Sequence, residues 1–187
     1  RPVLVEFFPH QQDFAIRTFG NLGGAGILGA CFGTVVTMYS PGGLAHCRNN
    51  WEATLWHEFC HVVTLTKSRN RMPRWLSEGI SVYEERQADV AWGQTMDLVN
   101  RKMIAEGGLT PVSELSGAFL RPPTALHLQF AYYESSLVVE YLVEKYGHDV
   151  VNQILTDLAV GMPINESLGR YAGSIDVLNK EFDEFAQ

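Results

Sequence analysis

The amino-acid sequence predicts an α+β fold, with a small mixed sheet near the N-terminus followed by a mainly helical part. Two observations support this prediction. The segments with the composition of strands lie in about the first quarter of the chain, and segments with helical spacing fill most of the rest. With 187 residues, 46% of them hydrophobic and 19% charged, the chain has the composition of one folded domain rather than of a disordered segment.

The strand-rich part covers residues 1–48. Residues 3–8 (VLVEFF) and 34–39 (TVVTMY) have the composition of strands, and the second run ends at a Ser-Pro-Gly-Gly turn. Residues 11–19 are predicted to form a short helix. A glycine-rich stretch follows at residues 20–33, and its segment 24–29 is interpreted as a flexible loop near a cleft.

Helical spacing begins near residue 50, where Asn49 or Asn50 is a suitable N-cap. A second helix follows Pro73, and glycines end three of the later segments. Two helices therefore occupy residues 50–87, and a C-terminal helical part occupies residues 94–187. The predicted helices are 50–66, 74–87, 94–106, 130–146, 149–160 and 174–185.

The first of these helices contains the sequence HEFCH, which supplies His57, Glu58 and His61. Residues i and i+4 lie one turn apart on the same helix face, so both imidazoles can reach one zinc ion at about 2.0–2.1 Å. Glu58 lies beside them and can take a proton from a zinc-activated water. The same five-residue pattern also occurs by chance in ordinary helices, so it needs independent support.

One source of support is the composition of this helix, which is apolar on almost every side and is therefore predicted to be buried. Its central polar residues form a single stripe of Thr54, His57, Glu58 and His61. A buried polar group without a partner costs roughly 2–7 kcal/mol. A metal ion at a cleft would satisfy this stripe directly.

A catalytic zinc needs three protein ligands and one open position. The candidate third ligand is Glu78 in the sequence RWLSEG, with sixteen residues (62–77) between it and His61. That spacing allows the first helix to end and the second to return toward it. The alternative is that Glu78 is a solvated helix acid.

The remaining parts of an active site are less clearly marked. Strand 34–39 is expected to form a sheet edge on which an extended peptide can pair. Tyr132 or Tyr133, and less so Tyr83, are candidates for stabilising the oxyanion, although packing roles fit each of them as well. Glu85 is a candidate partner for a zinc-bound imidazole, and a solvated acid is the alternative.

The overall charge and the cysteines limit the possible partners. The formal net charge of −7 argues against nucleic-acid binding, and no apolar run is long enough to span a membrane. The three cysteines, Cys31, Cys47 and Cys60, are too few for a disulfide framework, although one pair between Cys31 and Cys47 remains open. The opening Arg-Pro without an initiator Met is typical of a piece of a longer protein.

The HEFCH and WLSEG sequences together resemble those of gluzincin zinc peptidases, of which thermolysin and the aminopeptidase-N type are familiar members. The likeness is greatest to bacterial peptidase MA-like domains, which often occur in larger proteins with tetratricopeptide repeats. About three quarters of the chain takes part in it. The similar segments are CFGTVVTMYSP (31–41), PRWLSEGISVYEE (73–85) and AYYESSLVVEYLVEKYG (131–147).

The resemblance implies a zincin-like fold, a single Zn²⁺ ion held by His57, His61 and Glu78, and Glu58 as the general base. It favours Tyr132 over Tyr133 for the tyrosine role. It also implies a peptide or protein substrate, and flanking helical-repeat domains in the full-length protein. The compartment is not predicted by the residues, with a bacterial, extracytoplasmic setting slightly favoured.

Two departures from the family pattern bear on activity. The Gly-x-Met-Glu-Asn segment with which the aminopeptidase-N type captures a substrate amino terminus has no match here, so an endopeptidase is favoured over an aminopeptidase. Thermolysin-like enzymes carry Asp four residues after the ligand Glu, where this chain has Val82. The alternative functions are a zinc-dependent amidase acting on a non-peptide substrate, and a zinc-stabilised binding or scaffolding module without turnover.

Overall fold

The computed structural model describes residues 2–20, 27–40 and 50–187. The predicted turn after residue 40, Asn49 and the cysteine pair with Cys47 therefore lie wholly or partly outside the described residues. The chain divides into two units, Arg1–Thr66 and Lys67–Gln187. Each unit has its own architecture, one built on a sheet and the other on helices.

The first unit contains a three-stranded mixed sheet, which confirms the predicted sheet near the N-terminus. The strands lie in the order β1-β3-β2, with β1 parallel and β2 antiparallel to β3. One short helix and one long helix accompany the sheet. The elements are β1 (Leu4–Phe8), α1 (Gln11–Phe19), β2 (Gly29–Phe32), β3 (Val35–Tyr39) and α2 (Trp51–Lys67).

Two expectations about this sheet were wrong. The segment 24–29 was expected to be a loop, but its last residue, Gly29, begins the unpredicted strand β2, which pairs with β3 from Gly29 opposite Met38. As a result, β3 is the central strand of the described sheet and not its edge. The strand escaped prediction because glycine weakens β propensity and only three residues after Gly29 have side chains suited to a sheet.

The face of the sheet that α2 covers forms the core of this unit. Val36 and Met38 of β3 are fully buried against Val62 of α2. Partly buried apolar side chains surround this cluster, namely Val3, Val5, Cys31 and Leu55.

The expectation that α2 is buried on all sides was also wrong. Trp56, Phe59 and Val63 expose 46%, 47% and 50% of their surfaces. Their spacing of three and four residues places them on one side of the helix, away from the residues that meet the sheet. The helix is thus an ordinary one-sided core helix with an apolar outer stripe.

The second unit is entirely helical in its regular structure. Helix α6 begins earlier than predicted, because Thr124 caps it by accepting a hydrogen bond from the backbone N–H of His127 at 3.4 Å. Helices α5 and α8 were not predicted. The helices are α3 (Arg74–Ala88), α4 (Leu98–Ala105), α5 (Leu115–Leu120) after a 3-10 turn at Val112–Glu114, α6 (Ala125–Tyr146), α7 (Asp149–Ala159), α8 (Ile164–Ala172) and α9 (Ile175–Ala186). In the part of the chain that the structure describes, none of the helices combines the length and apolarity needed to cross a membrane.

Helices α3 and α6 pack together closely at Gly79. A Cβ atom at this position would lie 2.6 Å from the carbonyl oxygen of Ser135 and 2.8 Å from its carbonyl carbon. Both atoms belong to the α6 backbone, so they cannot rotate away as a side chain could. Gly79 directly follows Glu78 in the sequence. The close contact therefore fixes the position of Glu78 along the α3 axis relative to α6.

We expect Gly79→Ala to destabilise the protein by about 1–3 kcal/mol, because the added methyl group forces the two helices apart. Denaturant unfolding at constant pH measures the change. Gly117→Ala in α5 is the matched control, since a Cβ at Gly117 meets no atom within 4 Å. That variant is expected to be neutral or slightly stabilising. Equal stabilities of the two variants would contradict the role assigned to Gly79.

Candidate metal centre

Helix α2, which carries the HEFCH residues, begins with a well-defined first turn. Asn50 is its N-cap, with Oδ1 accepting a hydrogen bond from the N–H of Ala53 at 3.2 Å. About two turns after Asn50 the helix presents His57, and His61 follows one turn later. Their ring centroids are 4.7 Å apart and the rings are nearly perpendicular, at 84°. The two imidazoles thus share one helix face, as their spacing predicted.

Glu58 lies between these histidines in sequence and is buried, with 8% of its surface exposed. Its side chain faces strand β2 at Gly29. The Cys31 thiol lies two residues along the same strand. Its pKa is raised to about 11, first by burial and second by the charge of Glu58. Cys31 therefore remains a neutral thiol at physiological pH.

Helix α3 presents Glu78 one turn after Arg74. Arg74 Nε donates a hydrogen bond to Glu78 Oε1 at 3.3 Å, and Arg74 Nη2 donates to the Tyr132 hydroxyl at 3.2 Å. The guanidinium also lies over the ring of Phe119, with 5.4 Å between its central carbon and the ring centroid. Arg74 therefore links the carboxylate on α3 to the phenol on α6.

The candidate ligand atoms of His57, His61 and Glu78 all lie within 4.8 Å of one another. Two imidazole nitrogens and one carboxylate oxygen are a donor set typical of catalytic zinc. Ligands about 2.1 Å from one ion are at most about 4.2 Å apart. The chemistry of this donor set therefore fits a zinc ion. The predicted ligands are therefore brought together.

The three candidate tyrosines have different surroundings. Tyr133 is buried and its hydroxyl donates to the sulfur of Met96 at 3.5 Å. Tyr83 is also buried, and burial raises its pKa. The Tyr132 hydroxyl instead accepts from Arg74, which holds Glu78. The geometry therefore favours Tyr132 among the three.

Other expected and unexpected residues complete the description. Glu85 is buried rather than solvated, with 8% of its surface exposed. Arg74 was not singled out from the sequence, although its position four residues before Glu78 is the spacing of a helical ion pair. Glu134, which is almost fully buried on α6, was also missed. The sequence does not distinguish Gly29 from the glycines near it, because the importance of Gly29 depends on a contact with a different element.

Comparison with known protein families gives a match over most of the chain. The family model of the Peptidase MA superfamily matches residues 30–187. No curated protein and no solved structure matches the chain significantly. The matched region includes all of α2 and α3, and hence His57, Glu58, His61 and Glu78. Because the match covers most of the sequence, the chain belongs to the Peptidase MA superfamily.

Proposed function

We propose that this protein is a zinc-dependent endopeptidase with a zincin-like fold, in which His57, His61 and Glu78 hold one zinc ion and Glu58 is the general base. The observation that carries the proposal is the grouping of the three ligand atoms within 4.8 Å, with Glu58 next to the first histidine. Membership of a superfamily of metallopeptidases supports the same reaction class.

Bound by these residues, zinc would supply a Lewis acid that activates water and polarises the scissile carbonyl. Glu58 accepts a proton from the attacking water and later transfers it to the nitrogen of the leaving amine. The water oxygen first forms a bond to the carbonyl carbon. The C–N bond then breaks as the carbonyl re-forms, so the products are a carboxylic acid and an amine. The burial of Glu58 keeps competing water away from this proton transfer.

Tyr132 donates a hydrogen bond to the carbonyl oxygen as negative charge develops on it. Arg74 supports this role in two ways. Its hydrogen bond orients the phenol oxygen, and its positive charge makes the phenol a better donor. Phe119 contacts both partners. The Arg74 guanidinium stacks on its ring, and the Tyr132 ring packs against it with ring centroids 5.2 Å apart, so Phe119 holds the two groups together.

The edge of strand β2 supports the preference for internal peptide bonds. One side of β2 pairs with β3, and within the described residues no strand pairs with its other side. An extended substrate can therefore add to the sheet through backbone hydrogen bonds that do not require a free terminus. Gly29 of this strand lies against Glu58, which places such a substrate next to the general base.

Mass-spectrometric profiling of a diverse peptide library tests the proposal. Samples are the zinc-loaded protein, the chelated protein, the chelated protein with zinc restored, and a His57→Ala variant, with zinc content measured in each. We expect internal cleavage that follows zinc content and is lost in the variant. Sequential removal of residues from one terminus would show that the protein is an exopeptidase and not an endopeptidase. Full zinc loading without any peptide cleavage would contradict the proposal and favour an amidase or a binding module.

A further inference from the structure

Gly29 approaches Glu58 more closely than any residue with a side chain could. A Cβ atom at Gly29 would lie 2.8 Å from Glu58 Cγ, 3.0 Å from Glu58 Oε1 and 2.9 Å from Thr54 Cγ2. Backbone conformation does not explain this glycine, because it is not among the residues with positive φ. Space, and not flexibility, is therefore what requires glycine at this position.

The backbones on both sides of this contact are fixed. Gly29 is in register with Met38 of β3, and the carbonyl of Leu28 accepts a hydrogen bond from the N–H of Tyr39 at 2.9 Å. Glu58 lies in the middle of α2 and not at a frayed end. The three atoms nearest to a new Cβ belong to the side chains of Glu58 and Thr54. A substitution would therefore displace these side chains before it displaced the fold.

We propose that Gly29 is a positioning residue, and that the bare backbone of β2 at this point holds the Glu58 carboxylate in the rotamer it needs for proton transfer. The inference rests on the proposed function, in which Glu58 is the general base. Strand β2 thus has two roles. Its free edge pairs with the substrate, and its face packs against the side chain of Glu58. Because both roles use one strand, a substrate that pairs with β2 comes into register with Glu58.

The surroundings of Cys31 support this arrangement. Cys31 and Gly29 are two residues apart, so they lie on the same face of β2. The charge of Glu58 contributes to the raised pKa of the Cys31 thiol. Both observations are consistent with a Glu58 carboxylate beside this face of the strand.

The first test is the kcat of Gly29→Ala on a peptide that the wild type cleaves. A displacement of about 1 Å can lower the rate about 10²-fold, so we expect a loss of that order, with KM, zinc content and melting temperature close to wild type. Gly117→Ala in α5 is the matched control, because it adds the same methyl group at a position where a Cβ meets no atom within 4 Å. We expect it to retain nearly full kcat. An unchanged kcat in Gly29→Ala would overturn the proposal.

A double-mutant cycle with Glu58→Gln separates positioning from a general structural effect. If Gly29 acts through Glu58, then Gly29→Ala lowers kcat in the wild-type background but adds no further loss to Glu58→Gln. If Gly29→Ala instead acts on the whole structure, it lowers kcat by the same factor in both backgrounds. Additive losses would therefore overturn the proposal.

A crystal structure of Gly29→Ala gives a readout that does not depend on turnover. We expect the Glu58 carboxylate to move by about 1 Å or more while the backbones of α2 and β2 stay in place. A shift of β2 with Glu58 unmoved would overturn the positioning role. An inactive but zinc-loaded wild type would instead contradict the peptidase proposal, and the structure would still decide the question about Gly29.

Discussion

Glu58→Gln is expected to lower kcat by about 10²–10⁴-fold while zinc remains bound. Glutamine keeps the shape of the side chain but cannot accept the proton of the attacking water. His57, His61 and Glu78 are unchanged in this variant, so metal content should stay near one ion per chain. Steady-state kinetics on a cleaved peptide and elemental analysis of the purified protein measure the two quantities.

Glu52→Gln is the matched control for this experiment. It makes the same chemical change on the same helix, but at an exposed position in the first turn. We expect it to leave kcat unchanged. If Glu58→Gln retained kcat within a few-fold of wild type, Glu58 could not be the base. If it lost its zinc, the experiment would instead show that Glu58 supports the metal site.

The sequence was sufficient to predict the reacting groups because helical periodicity alone brings them together. His57 and His61 share a helix face wherever the helix lies, and Glu58 is necessarily next to them. Glu78 was predicted from chemistry, since a catalytic zinc requires a third ligand. The bounds of α2 and α3 also followed from local signals, namely the Asn50 cap and the break at Pro73.

Features that depend on contacts between elements were missed. Strand β2 forms through pairing with β3, which a short glycine-containing segment does not reveal. The exposed side of α2 was wrongly expected to be buried, since aromatic residues alone do not show whether anything covers them. The role of Arg74 depends on Tyr132, which lies 58 residues later in the chain. Such pairings are set by tertiary packing and have no local signature.

Glu134 is the missed residue with the largest expected effect on stability. It lies on α6 and exposes only 1% of its surface. One carboxylate oxygen accepts the backbone N–H of Thr110, while the other has no hydrogen-bond partner among the described residues. Burial raises the pKa of this carboxyl to about 8, and the hydrogen bonds from Thr110 offset only part of that rise.

The sign of the pH dependence follows from this shift. In the unfolded chain Glu134 ionises near its ordinary pKa of 4.5, whereas in the folded protein it keeps its proton to about pH 8. Between these values the folded state binds more protons, so the free energy of unfolding falls as pH rises. The contribution is complete below about pH 4.5 and is lost by about pH 8. Its size is on the order of a few kcal/mol, since one pKa unit corresponds to about 1.4 kcal/mol.

We therefore expect Glu134→Gln to be more stable relative to wild type at pH 8 than at pH 5. The amide keeps an oxygen that can accept from Thr110 but never carries the buried charge. Urea unfolding of both proteins at pH 5, 6.5 and 8, with chelator present throughout, measures the difference without a contribution from metal binding. Glu144→Gln, which changes an exposed acid on the same helix, is the control and should follow wild type.

A constant difference between Glu134→Gln and wild type across this range would show that Glu134 is already ionised in the folded protein. Its second oxygen would then need a donor, which makes a bound water or cation beside α6 the only physical alternative to a buried neutral acid.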